Sequence, residues 1–211
     1  MTRFGCIRHA HSLWNGEQRV QGRQNSPLSE PGREMATAWG KQLQGLPWNR
    51  ILISDLGRVK ETGKLINESL HLPMHTDSRL REQDWGEWTG LPYAELLEHR
   101  GEAFARQQRR GWHFRPPRGE SRLEVLARSQ AALRDAARNW PGDKVLVISH
   151  EGVLKCLVYH LCGRKFLPSE QPLIKGYKVH LLQICEKTLL LEKLGILDLL
   201  TLKGAEPEAL F

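Results

Sequence analysis

At 211 residues, 40% hydrophobic and 26% charged, the chain can bury a sizeable core and has no low-complexity tract, which excludes a fibrous or disordered class. Its 31 basic and 24 acidic residues leave a net charge of +7, which favours anionic partners: nucleic acid, a membrane surface or a phosphorylated small molecule. No apolar run approaches bilayer-spanning length, and Arg3, Arg8 and His9 interrupt the N-terminus before a signal-like core can form. The expected setting is therefore cytoplasmic, with no membrane partner. Cys6, Cys156, Cys162 and Cys185 are scattered without a CxxC spacing. Cys6, Cys156 and Cys185 lie in apolar sequence, where thiols act as small hydrophobes, so a reducing compartment is expected rather than a disulfide framework.

An apolar run at residues 4–7 predicts the first strand, and Arg8 and His9 follow it directly. Ser29 can cap a helix through about residue 43, with Pro31 tolerated in its first turn. Residues 50–53 predict a second strand, 57–70 a helix, and 74–76 a weaker third strand. Residues 84–119 differ: they hold Trp85, Trp88, Trp112, many arginines and Pro116-Pro117, with one helix candidate at 92–100 and no good strand. This stretch, taken as about 84–120, reads as a small lid insertion over one end of the sheet within a single domain spanning 1–211. A helix follows over 121–140, with Val125, Leu126 and Leu133 near a 3.6 period. Residues 145–148 give the strongest strand signal and 152–161 another helix. Runs at 179–184 and 189–194, separated around Glu186-Lys187-Thr188, read as an antiparallel hairpin at or near an edge. Strands alternating with helices imply an α/β fold with a mostly parallel, mixed sheet.

Ligands in open α/β sheets bind at the carboxyl ends of the strands. The residues beyond those ends are Arg8-His9, then Ser54-Asp55-Leu56-Gly57-Arg58, then Arg79-Leu80-Arg81-Glu82, then Ser149-His150. Two histidines, two arginines and a carboxylate would converge on one crevice. Guanidinium groups grip phosphate oxygens, a neutral histidine can attack phosphorus, and a carboxylic acid can protonate a leaving oxygen. Taken singly, each has a bland reading as a solvated charge or turn residue; the repetition at four strand ends carries the signal. No Gly-rich Walker loop is present, so nucleotide triphosphate use is not suggested.

These residues resemble the histidine phosphatase superfamily, also called phosphoglycerate mutase-like. Arg8-His9-Ala10 is similar to its Arg-His-Gly signature, and the stretch holding Asn15, Arg19, Gln21 and Gly22 to its N-x-x-x-R-x-Q-G loop. Asn25-Ser26-Pro27-Leu28-Ser29, Ser54-Asp55-Leu56-Gly57-Arg58, Leu80-Arg81-Glu82 with Gly86, Trp88 and Gly90, and Ser149-His150-Glu151-Gly152-Val153 match further segments in order. The resemblance spans roughly residues 3–194. Ala10 replaces the usual glycine, His11 stands where an acidic or amide residue is usual, Asn25 replaces aspartate, and Glu151 replaces the first glycine after the second histidine.

The resemblance implies a three-layer sandwich with helices on both faces of the sheet. It implies His9 as the nucleophile that forms a phosphohistidine, with Arg8, Arg58 and His150 on the non-bridging oxygens and no metal or other cofactor. Glu82 would protonate the leaving oxygen and later take a proton from water. Asn15, Arg19, Gln21 and Gly22 would add substrate contacts. The implied activity is a metal-independent phosphatase acting on a small phosphomonoester. Within the family the alternative is a phosphoglycerate mutase-type phosphotransferase. The stretch from Arg81 to Trp88 looks more like broad-specificity and α-ribazole phosphatases.

Two rivals stand outside the family. His9-Ala10-His11 is an H-x-H pair that could hold a divalent metal with His150, although Arg8 and Arg58 would oppose a cation; His11 reads instead as a substrate-side or turn residue. Arg106, Arg109, Arg110, Arg115 and Arg118 with Trp112 and Phe114 mix cations and aromatics as single-strand nucleic-acid binders do, but a solvated lid surface is the favoured reading. Trp14, Arg23, Trp85, Trp88, Trp112 and His113 are candidates for shaping the pocket. The tail from 198 onward, with Leu199-Leu200 and Leu210-Phe211, would pack on the body or on a second copy in a homodimer.

Overall fold

The computed structural model describes residues 1–200. Six strands form one sheet: β1 (Thr2–Arg8), β2 (Arg50–Ile53), β3 (Met74–Thr76), β4 (Lys144–Ser149), β5 (Lys178–Cys185) and β6 (Thr188–Asp198), in the order β3-β2-β4-β1-β5-β6. The β1–β4, β2–β4 and β2–β3 pairs are parallel. β1–β5 and β5–β6 are antiparallel, so the sheet is mixed and mostly parallel, with the hairpin at an edge. Six helices accompany it: α1 (Leu13–Gly16), α2 (Glu30–Leu43), α3 (Gly57–Leu70), α4 (Tyr93–Gln108), α5 (Arg122–Asn139) and α6 (Glu151–Leu161).

The layering follows from the two-residue period of the strands. Phe4, Cys6, Leu52, Val145 and Val147 point to one face and pack with Val125, Leu126 and Leu133 of α5 and Val153, Leu154 and Leu157 of α6. Ile7, Ile51, Ile53, Leu146 and Ile148 point to the other and pack with Ala36, Trp39 and Leu43 of α2 and Val59 and Ile66 of α3. The result is a sandwich of helix, sheet and helix. Burying each Val, Ile or Leu contributes about 1.5–3 kcal/mol, so neither face can be left open.

The helix starts follow side-chain capping. The Ser29 hydroxyl accepts from Gly32 N–H at 3.2 Å, with Pro31 in the first turn. Ser121 caps α5 in a capping box with Glu124. Two expectations need correction. The helix expected over 92–100 runs as Tyr93–Gln108, because Leu96 and Phe104 keep an apolar face into the segment's own cluster with Val20, Trp88 and Phe114. Cys185, expected to be buried, is exposed at the end of β5 beside the hairpin turn. All four cysteines are free, and Cys6 and Cys156 are buried. Among the described residues no helix is long and apolar enough to cross a membrane. Leu199 packs on the body in the cluster around Trp39, while Leu210 and Phe211 lie outside the described residues.

Candidate active site

The parallel strands β1, β2 and β4 all end at one edge of the sheet, and His9, Ser54 and His150 follow them there. His9 is 3% exposed, and its backbone N–H extends the β1–β4 ladder by donating to the Ser149 carbonyl at 2.9 Å. Its Nδ1 lies 2.7 Å from the Ala10 carbonyl oxygen. A carbonyl only accepts, so Nδ1 carries the proton and Nε2 keeps a lone pair. That lone pair accepts from Arg58 Nε at 3.2 Å.

His150 is fully buried and has the opposite tautomer. Its Nδ1 accepts from Arg58 Nη2 at 3.2 Å, which leaves Nε2 to donate to Ser54 Oγ at 2.9 Å. The two imidazole centroids are 5.3 Å apart. Burial pushes both histidines well below the usual imidazole range, and neighbouring Arg8 and Arg58 push the same way, so both rings are neutral at neutral pH.

Arg58, 1% exposed, joins the two rings. Its Nη1 and Nη2 also donate to the carbonyls of Gln24 at 2.7 Å and Gly22 at 2.9 Å, and its backbone N–H donates to Asn25 Oδ1 at 3.1 Å. Asn25 therefore fastens the segment 22–25 to the start of α3. Gly22 sits at φ +52°, which lets its carbonyl turn toward Arg58. Burial lowers Arg58 to about 10, and it stays charged. Arg8 donates from Nη1 to Glu151, while its buried Nε makes no hydrogen bond among the described residues.

Glu82 meets the N-terminus of α6. Its Oε1 accepts from Gln83 N–H at 2.8 Å and its Oε2 from Gly152 N–H at 3.2 Å. The approach is close enough that a Cβ on residue 152 would clash with Glu82 Oε1. Arg128, which sequence reasoning missed, holds this loop by donating to the carbonyls of Arg79 and Glu82, with Glu120 neutralising it at 2.7 Å. Gly152→Ala is expected to displace the Glu82 carboxylate and to lower turnover of alkyl phosphates on the order of tenfold or more while α6 still forms. Steady-state assays beside far-UV circular dichroism check this; full activity in the variant would show that the close approach is unimportant.

These groups open on a cavity of about 760 Å³. Its walls include Arg8, His9, Asn15, Arg19, Gln21, Gly22, Arg58 and Glu82, so eight of the nine expected site residues line it. His150 lies behind the wall and reaches the site through Arg58. Asn15 faces the cavity but spends its Oδ1 on the Ser12 N–H in the box that caps α1. Arg19 pairs with Glu17 at 2.6 Å. The Gln21 Oε1 is buried and has no hydrogen-bond partner among the described residues. Of the pocket-shaping candidates Trp14, Arg23, Trp85, Trp88, Trp112 and His113, only Trp85 lines the cavity. Sequence reasoning missed Tyr93, Phe104, Arg122, Lys155 and Phe166 on the walls. Five cationic side chains face two carboxylates, Glu82 and Glu151, which suits an anionic ligand.

His11 does not join His9 in a ligand pair, since its Nδ1 meets Ser29 Oγ at 3.1 Å and it is absent from the cavity wall. Among the described residues no three His, Cys, Asp or Glu side chains cluster as metal ligands. In the arginine-rich stretch Phe114 is buried, so its ring is not displayed for base stacking, and Trp112 is partly buried and donates Nε1 to the Arg164 carbonyl at 2.8 Å.

A family profile described as histidine phosphatase superfamily (branch 1) matches residues 5–195. A relative named "Probable phosphoglycerate mutase GpmB" from Yersinia pestis (strain Pestoides F) is 36% identical over 164 residues, covering 77% of this chain and 76% of the relative. The solved structure of Bacillus stearothermophilus YhfR superposes with a TM-score of 0.85 at 30% identity, covering 94% of this chain and 99% of that one. A mycobacterial glucosyl-3-phosphoglycerate phosphatase, solved with VO3, gives 0.78 at 27% identity, covering 90% and 97%.

Proposed function

The chain belongs to the histidine phosphatase superfamily, and from that premise we propose that it is a metal-independent phosphatase hydrolysing a small phosphomonoester through a phosphohistidine at His9. The observation that carries this reading is the His9 tautomer: Nδ1–H is held by the Ala10 carbonyl, which leaves the lone pair on Nε2, where it accepts from Arg58 Nε and is released for attack when Arg58 turns to the phosphate. Nε2 attacks phosphorus in line and the ester oxygen departs, taking a proton from Glu82 as it leaves. Water then attacks the phosphohistidine, gives its proton to Glu82, and frees inorganic phosphate and His9. Arg8 and Arg58 stabilise the charge on the non-bridging oxygens, and His150 orients Arg58. Segment 84–120 serves as a lid through Trp85, Tyr93 and Phe104.

Guanidinium groups in this position do the work that a cation would otherwise do, and they repel one. The buried Phe114 weighs against the nucleic-acid reading. The GpmB-type relative favours a second reading, a mutase-type phosphotransfer in which the phosphoryl group returns from His9 to the substrate.

A panel of phosphorylated metabolites, scored for phosphate release with and without EDTA and for phosphoglycerate isomerisation, separates these readings. Release unaffected by EDTA is expected. Isomerisation without release would establish the mutase reading, and activity lost to EDTA and restored by zinc would overturn both.

A further inference from the structure

The cavity's five cations are not equivalent. Arg8 and Lys155 share Glu151, Arg19 pairs with Glu17, and Arg58 is directed at the two imidazoles. Arg122 has neither kind of partner. Among the described residues no carboxylate lies within ion-pair reach of it, and its Nε and Nη2 make no hydrogen bond.

Its position is nonetheless closely built. The guanidinium lies between the rings of Phe114 and Phe166, 4.3 Å and 4.0 Å from their centroids. Nη1 donates to the carbonyls of Gly111 at 3.0 Å and Phe166 at 3.2 Å. Phe166 takes a φ of +64°, an uncommon conformation for a bulky residue, and so offers both its ring and its carbonyl to the same arginine. Arg122 is also the first residue of α5, where the helix dipole disfavours positive charge. A half-buried, stacked cation at a helix start, with two donors left over on a cavity wall, has no counter-charge among the described residues. Burial lowers it to about 10, so it is still protonated at neutral pH.

We propose that Arg122 receives a second anionic group of the substrate, a carboxylate or a second phosphate, where it and Phe166 line the cavity. The spacing comes from α6. Glu82 meets Gly152 at the start of α6, and Arg122 lines the same cavity as Gly152 and Cys156 of that helix. The four-residue step from Gly152 to Cys156 rises about 6 Å, so a chain of three or four carbons is a suitable probe length. Phe104, Tyr93 and Phe166 add apolar surface to the same cavity. This specificity role rests on the phosphatase reading for its other end.

The test uses three alkyl phosphates with a four-carbon chain: butyl phosphate, the same chain ending in a carboxylate, and the same chain ending in a second phosphate. Their non-hydrolysable phosphonates, titrated by calorimetry, report binding without turnover. The wild-type protein is expected to prefer at least one anionic tail over the neutral one by on the order of tenfold, in both kcat/KM and phosphonate affinity. Arg122→Met should bring that ratio close to unity, and Arg122→Lys should restore part of it. A merely structural Arg122 would alter all three ligands alike. Which anionic tail gains more distinguishes carboxylate from phosphate.

No preference in the wild-type protein, or a preference that survives Arg122→Met, overturns the proposal; if that variant does not fold, the wild-type ratio and Arg122→Lys decide. Preferential phosphonate binding with no phosphate released from any ester would instead overturn the phosphatase reading and leave the subsite standing.

Discussion

His9→Ala is expected to lower phosphate release by on the order of a thousandfold or more on every substrate, aryl and alkyl alike. The loss should not depend on the leaving group, because the attacking atom itself is gone. His9 is placed for that role by backbone, not by side-chain chance. It follows the last residue of β1, its N–H is fixed to Ser149, and the Ala10 carbonyl holds Nδ1–H. Burial and two neighbouring guanidinium groups keep the ring neutral, so protonation does not compete with attack until the pH falls well below the usual imidazole range. The variant should still fold, since His9 belongs to no apolar cluster and Arg58 keeps its Gln24 and Gly22 carbonyls. Full activity in a folded His9→Ala protein would end the nucleophile assignment.

Glu82→Gln is expected to split by leaving group. An alkoxide is a far stronger base than nitrophenolate and needs a proton as it departs. Alkyl phosphates should therefore slow by about a hundredfold to ten-thousandfold, the usual worth of a general acid, while nitrophenyl phosphate slows much less. The substitution keeps the volume but replaces one acceptor oxygen with an NH2 group. The two Glu82 oxygens face the N–H groups of Gln83 and Gly152, so the amide meets a donor on one side and must rotate or shift. That local cost is common to both substrate types and cancels in their ratio. Rates on the two esters, measured on the same preparation, give that ratio; equal slowing would assign Glu82 to positioning and remove it as the proton donor.

Much of this site was legible because its parts lie immediately after strands. Arg8-His9, Ser54 and His150 could be read from short Val- and Ile-rich runs followed by polar residues, and the sheet carries them to one edge, while Glu82 lies beyond the weaker strand Met74–Thr76 and the turn Ser78–Leu80. The hairpin at Glu186-Lys187 and the cap at Ser29 were equally local. What could not be read was anything that depends on two distant segments meeting. Arg122 becomes part of the cavity only because residues 111 and 166, far apart in the chain, fold against α5. Arg128 holds Glu82 across 46 positions of sequence. The four-residue α1 is too short for a periodic signal, although its box of Ser12 and Asn15 was present in the sequence. The burial of His150 behind Arg58 was likewise invisible, since a strand-end residue can face either the cavity or the core. Arg122 did leave one faint trace, a cation at the first position after a helix cap, where acidic residues are favoured.

The proposed mechanism depends on a phosphoryl group resting on His9 between two displacements. Mixing the protein with nitrophenyl phosphate, quenching in alkali within the first turnover and mapping peptides by mass spectrometry tests this directly. The predicted result is one phosphoryl group, stable to alkali and labile to acid, on the peptide carrying His9. A phosphoryl group on any other side chain, or none on the protein during a burst of nitrophenol, would contradict it.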